Sequence, residues 1–94
     1  MLIYKITNKL NNKCYIGQTI KSAEERWKEH QSHAFGTHPN DINKTLYKAI
    51  RKYGLENFTF EVIEECERSL LDSREKYWTD YFKAQEYGYS IRKG

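Results

Sequence analysis

Apolar residues recur along this chain with two different periods, and the switches between them divide it into elements. Leu2 to Thr7 is rich in Ile, Tyr and Thr, Asn8 to Asn12 is a cluster of turn residues, and Cys14 to Gly17 is again short and β-like. This pattern predicts an antiparallel hairpin. Alternation puts Tyr4 and Ile6 on a common face of one strand and Tyr15 and Gly17 on a common face of the other, so two phenols meet where the register agrees. Ser22-Ala23-Glu24-Glu25 has the form of a capping box and opens a helix that runs to about His33. On that helix Ala23, Trp27, His30 and Ala34 form one stripe, with Arg26 beside it, four residues before His30. Gly, Thr, Pro and Asn between Phe35 and Asn40 end the helix, and His38 falls in that loop. Asp41 or Asn43 can cap a second helix whose Ile42, Leu46, Ala49, Ile50 and Tyr53 face inward and which Gly54 closes. Phe58 to Glu64 sets Phe58, Phe60 and Val62 against Thr59, Glu61 and Ile63, a third strand with one face better buried. Leu70 to Phe82 reads as a further helix, and Tyr87 to Ile91 as an edge strand or a cover for the sheet. The order β-β-α-α-β-α predicts an α+β domain, a small antiparallel three-stranded sheet flanked by helices.

The last long helix contains an anomaly. Leu71, Glu75, Trp78 and Phe82 follow at spacings of four, three and four, which places a carboxylate inside an otherwise apolar stripe. Removing an ionised carboxylate from water costs several kcal/mol unless a cation, a metal or a donor set compensates it. Arg74, Lys76 or Arg26 could do so in a purely structural pair. Charge sharpens the picture: residues 1–20 carry three Lys and no acid, residues 21–54 seven basic and four acidic side chains, and residues 55–82 three basic and eight acidic. A cationic first half suits a polyanion, and an acidic pocket within a polyanion-binding protein suits a bridging divalent cation. Two differently charged solvated faces would give the same bulk numbers.

The 94 residues suffice for one domain with one core, and there are no repeats, low-complexity tracts or internal linkers. Cys14 and Cys66 lack zinc-ligand spacing and read as buried thiols. There is no apolar run long enough to span a bilayer and no signal-peptide pattern, which points to no membrane and a soluble, reducing compartment.

Five short strings occur in a fixed order: Leu2-Ile3-Tyr4, Tyr15-Ile16-Gly17, Arg26 with His30, and Arg74-Glu75 followed by Trp78, with the Leu10-Asn11-Asn12-Lys13 turn between the first two. Over essentially the whole chain this resembles the GIY-YIG nuclease family, most of all the catalytic domains of phage-type homing endonucleases. The resemblance implies that Tyr4 and Tyr15 are the motif tyrosines, Arg26 the catalytic arginine, His30 the helix histidine, Glu75 the metal-binding carboxylate and Gly17 the glycine of the second motif. Leu2 stands where the first motif has Gly. Near the end, Gly88-Tyr89-Ser90 replaces the Gly-Tyr-Asn of the homing enzymes, so Ser90 offers a hydroxyl in place of an amide.

The implied activity is metal-dependent hydrolysis of DNA phosphodiesters in the cytoplasm of a bacterial or phage-infected cell. One carboxylate can hold one Mg2+ or Mn2+, which prefers oxygen ligands and keeps most of its waters. Arg26 suits a phosphate clamp, because guanidinium is always charged and donates two parallel hydrogen bonds. A phenol is a weak base near neutral pH unless its pKa is lowered, which leaves Tyr4, Tyr15 and His30 all open as the acceptor of the water proton. A nucleic-acid-binding module with weak or lost cleavage is the alternative. The chain ends at Ile91-Arg92-Lys93-Gly94, where homing enzymes continue into a recognition domain, so it is expected to be either a free-standing small nuclease or the N-terminal part of a longer protein. Site specificity is then expected from a separate recognition domain or a partner.

Overall fold

The computed structural model describes residues 1–36, 44–84, 88 and 89. Two strands, β1 (Leu2–Asn8) and β2 (Cys14–Thr19), form the expected hairpin, and α1 (Ala23–Phe35) follows. Next come α2 (Lys44–Tyr53), a 3-10 turn over Leu55–Asn57, β3 (Phe58–Glu65), a second 3-10 turn over Arg68–Leu70 and α3 (Leu71–Tyr81). The sheet is antiparallel in the order β2-β1-β3, which makes β1 the central strand.

Register decides what each layer contains. Tyr4 pairs with Gly17 and Ile6 with Tyr15, so both motif tyrosines lie on one sheet face. That face packs under α1 and α2 against Ala34, Leu46, Tyr47, Ala49, Ile50, Phe58 and Tyr89. The opposite face presents Ile3, Cys14 and Ile16 to Leu71 and Ala84, with Trp78 of α3 and Phe82 just beyond it packed alongside. The sheet is therefore a middle layer between two helical ones.

The local signals act as the residue types dictate. Ser22 caps α1 by accepting from the Glu25 N–H at 3.2 Å. Gly54 closes α2 with φ 91° and donates its N–H to the Ile50 carbonyl at 3.0 Å. The hairpin turn is fixed by asparagines: Asn8 Oδ1 accepts from the Leu10 N–H, Asn11 Oδ1 accepts from the Lys13 N–H, and Asn12 adopts φ 61°. Asn8 is fully buried and donates to the Tyr89 hydroxyl at 3.2 Å.

The alternation predicted for β3 holds through Val62 and is interrupted at Ile63. An irregularity opposite Ile3 and Tyr4 pairs them with Glu64 and Val62 and skips Ile63. Val62 keeps the face of Phe58 and Phe60 but is exposed, and Ile63 and Glu64 both turn to the α3 side of the sheet. The last helix begins at Leu71 after a 3-10 turn rather than at Leu70, and ends at Tyr81 rather than Phe82, because Lys83 takes φ 51°. Asp41, Ile42, Asn43, Tyr87, Ser90 and Ile91 lie outside the described residues, as does His38. Tyr89 covers the sheet, its N–H bonded to the Cys14 carbonyl at 2.8 Å. Among the described residues no helix is long and apolar enough to cross a membrane.

Candidate active site

Four of the expected residues converge on the sheet face beneath α1. Tyr4 projects from the central strand and is fully buried. Its hydroxyl oxygen accepts from Arg26 Nε–H at 3.1 Å and lies 2.6 Å from His30 Nε2. Arg26 and His30 sit one turn apart on α1, so both reach the same phenol. Tyr15 enters from β2, its ring 6.2 Å from that of Tyr4 and edge-on to His30 at 5.6 Å. Gly17 completes the group by omission: a Cβ there would overlap Cζ and the hydroxyl oxygen of Tyr4.

Sequence reasoning missed Tyr47. Its hydroxyl lies 2.8 Å from His30 Nδ1, and both residues are buried, so the imidazole is held at both nitrogens by phenols. Tyr47 falls three residues before Ile50 on the apolar side of α2, a position the helical period does signal. What periodicity could not show is that its polar end would meet a histidine from another helix. Phe60 stacks on Tyr4 at 4.8 Å and Trp27 lies 5.3 Å from Phe60, which closes the cluster against solvent on the β3 side.

Electrostatics separates the groups. Burial, reinforced by the neighbouring Tyr15, pushes the Tyr4 phenol far above its ordinary range, and Arg26 offsets this only in part. Tyr4 therefore keeps its proton at neutral pH. Burial alone would lower the pKa of the Arg26 guanidinium, but Tyr4, Tyr15 and Glu29 outweigh it and hold the charge. Arg26 Nη1 is 3.7 Å from Glu29, whose other oxygen is 3.1 Å from Lys21 Nζ.

Glu75 comes from the other helical layer. It is half-buried on α3, between Leu71 and Trp78, and its carbonyl accepts from the buried Thr79 hydroxyl at 2.7 Å. Arg74 pairs with Glu64 at 2.7 Å, Lys76 with Asp80 at 3.5 Å, and Arg26 with Tyr4 and Glu29. The helix is fastened to the sheet from both sides. Glu64 of β3 accepts from Arg74 Nε and from Trp78 Nε1 at 2.9 Å, and Asp72 accepts from Gln18 of β2 at 2.8 Å. Ser90 lies outside the described residues.

Among the described residues no three His, Cys, Asp or Glu side chains converge in a metal cage. The donor chemistry that Glu75 supplies is a single hard carboxylate, which suits a hydrated Mg2+ or Mn2+ and not a zinc ion.

A family model described as the GIY-YIG catalytic domain matches residues 1–88. Intron-associated endonuclease 1 of Enterobacteria phage T4 is 35% identical over 96 residues, covering 95% of this chain and 36% of that protein. The chain spans about a third of the length of the phage T4 relatives it matches. Among solved structures, the catalytic domain of homing endonuclease I-TevI superposes with a TM-score of 0.83 at 33% identity, over 96% of each chain. A glutamate-to-alanine mutant of the catalytic domain of intron endonuclease I-TevI gives 0.78 at 31% identity, over 98% of this chain and 93% of that one.

Proposed function

The chain belongs to the GIY-YIG catalytic-domain family, and from that membership we propose that it is an endonuclease domain hydrolysing DNA phosphodiester bonds with one divalent cation. The observation that carries the reading is the bond from Arg26 Nε to the buried Tyr4 oxygen. It fixes the guanidinium on a rigid phenol while the side chain remains 25% exposed, so its outer edge can meet a phosphate.

Phosphodiester hydrolysis needs an acceptor for the water proton, a partner for the charge that grows on the phosphate oxygens, and support for the departing 3′ oxygen. Arg26 supplies the second. Its Nη groups donate to phosphate oxygens, and the Nε bond to Tyr4 removes the rotation that would blur their aim. Tyr4 is a positioning residue, because a phenol that holds its proton so firmly cannot accept one from water. His30, enclosed between Tyr4 and Tyr47, keeps Tyr4 in place. Tyr15, the less completely buried of the two motif phenols, is the proton acceptor. For that role its own hydroxyl must first give up its proton to solvent.

Glu75 would hold the divalent ion, with phosphate oxygens and water completing the shell. When bound, Mg2+ or Mn2+ supplies Lewis-acid stabilisation to the phosphate and the leaving oxygen. Site specificity, in this reading, comes from a separate recognition domain or a partner.

Nicking of supercoiled plasmid in Mg2+ tests the proposal. Arg26→Ala and Glu75→Ala should each lose on the order of 100-fold or more in rate, the usual consequence of deleting a principal electrostatic stabiliser. Rates equal to that of the native chain in both variants would refute it.

A further inference from the structure

We propose that the outer side of α2 and the tip of the β1–β2 turn form a second surface for the DNA backbone, away from the catalytic cluster. The proposal rests on the nuclease reading and extends it. Lys48, Arg51 and Lys52 are exposed on α2, a helix without a single acidic residue, and Lys9 and Lys13 are exposed on the turn. These two groups belong to one end of the molecule. The Lys9 N–H bonds the Asn57 carbonyl at 2.8 Å, and Asn57 Nδ2 bonds the carbonyl of Tyr53, the last residue of α2, at 2.6 Å.

Grouping without acidic partners sets these cations apart, since Lys28, Arg68 and Lys83, exposed and likewise without a carboxylate within 4 Å among the described residues, lie singly on other parts of the chain. Lys5, Lys21, Arg26, Arg74 and Lys76 each have a carboxylate within 4 Å, whereas among the described residues Lys9, Lys13, Lys48, Arg51 and Lys52 have none. Arg51 spends one donor on the Ala34 carbonyl at 2.7 Å, and Lys52 lies 5.2 Å from the Tyr53 ring. A cluster of like charges without internal neutralisation attracts a polyanion and gains by releasing that polyanion's counterions. Lys48 and Lys52 stand about 6 Å apart along the helix axis, on the scale of phosphate spacing along a strand.

Rigidity argues for positioning as well as attraction. The turn is held by side-chain bonds from Asn8 and Asn11, so its lysines are displayed from a fixed backbone. On the inner side of α2, Tyr47 bonds His30. The same helix thus ties the lysines to the cluster containing Arg26, and a duplex held on its outer side is registered against the catalytic residues.

The test is binding of a fluorescein-labelled 30-base-pair duplex in EDTA, titrated at several salt concentrations. K9Q/K13Q and K48Q/K52Q should each weaken binding and flatten the slope of log K against log salt by roughly 1 to 2, following about 0.9 per phosphate contact. R68Q/K76Q removes the same charge from the α3 side and should leave the slope near the native value. Equal slopes for all three variants overturn the proposal. So does a dimer, seen by sedimentation, that the lysine variants disrupt while duplex affinity stays unchanged, because the surface would then serve a second copy of the chain. Mg2+-dependent nicking by the native chain separates the two readings: if it persists while the slopes are equal, only this surface is refuted, and if nicking and binding are both absent, both fall.

Discussion

Replacing Tyr47 by Phe deletes one oxygen from the interior and leaves the ring in place, which isolates the polar bond from the packing. The deleted hydroxyl lies 2.8 Å from His30 Nδ1, with His30 wholly buried and Tyr47 3% exposed, so water cannot readily substitute. Whichever tautomer His30 adopts, that nitrogen loses its phenol partner. Losing one partner of a buried hydrogen bond costs about 1–3 kcal/mol. In a domain of this size each kcal/mol shifts the melting temperature by about 4–8 °C, so the expected drop is roughly 5–20 °C. Urea unfolding followed by tryptophan fluorescence gives the same quantity, with m unchanged if only stability has moved. Tyr53→Phe is the matched control, since that phenol, half-buried on the same helix, makes no hydroxyl hydrogen bond in the described structure. It should stay within about 0.5 kcal/mol of native. A Tyr47→Phe variant equally close to native would refute the reasoning, because the His30–Tyr47 bond would then contribute nothing. In nicking assays the loosened His30 should lower kcat more than it raises KM, as expected for a residue that positions others.

Three further outcomes follow from the same geometry. Arg74, and then Trp78, hold the Glu64 carboxyl below its ordinary range, so its contribution to stability is present above about pH 4.3 and is lost as pH falls through the lower folded-state value. The stability gap between the native chain and Glu64→Gln should therefore close on acidification, and a gap independent of pH in urea titrations would contradict the linkage. Gly17→Ala should cost about 1–3 kcal/mol by overpacking against Tyr4 and Tyr15 and should slow nicking; a native melting curve would show that the two rings can yield. Burial pushes the Cys14 thiol up, with Lys5 opposing, so Cys14 should react with a disulfide reagent at pH 8 more slowly than the half-buried Cys66, and equal rates would count against that burial.

Local signals in the sequence were reliable where a single element determines the outcome. The Ser22 cap, the Gly54 stop and the Asn8–Asn12 turn each depend on residues within four positions of one another, and each forms as read. Tyr4, Tyr15, Arg26 and His30 were legible as a group because strand parity and helical spacing confine them to one face and one stripe, and motif order connected the two. Tyr47 was not legible as polar machinery, since its partner lies 17 residues away on another helix. The end of β3 was not legible for a related reason: the irregularity at Ile63 arises from pairing with β1, and a period of two within β3 contains no trace of it. The pairing of Arg74 was not legible either, because it is drawn to Glu64 on the adjacent strand, ten residues away in the chain.

The two layers of the domain hold their chemistry by different means, and the difference bears on how the site is assembled. On the α1–α2 face, Tyr4, His30 and Tyr47 lie inside an otherwise apolar cluster, where each unpaired polar atom would carry a desolvation cost. The network satisfies them in sequence, from Arg26 to Tyr4 to His30 to Tyr47, and a satisfied buried network resists rearrangement. Arg26 inherits that rigidity. On the other face, α3 rests on a smaller apolar cluster and is aligned by polar clamps at its flanks, Glu64 with Arg74 and Trp78 on β3, and Asp72 with Gln18 on β2. Glu75 lies between Asp72 and Trp78 in the chain, so these clamps set the rotation and height of the helix turn that carries it. A carboxylate from one layer and a guanidinium from the other can serve a single phosphate only if both layers keep their register on the shared sheet. Weakening the clamps should therefore impair Glu75 before it unfolds the domain, whereas weakening the buried network should impair Arg26 and stability together.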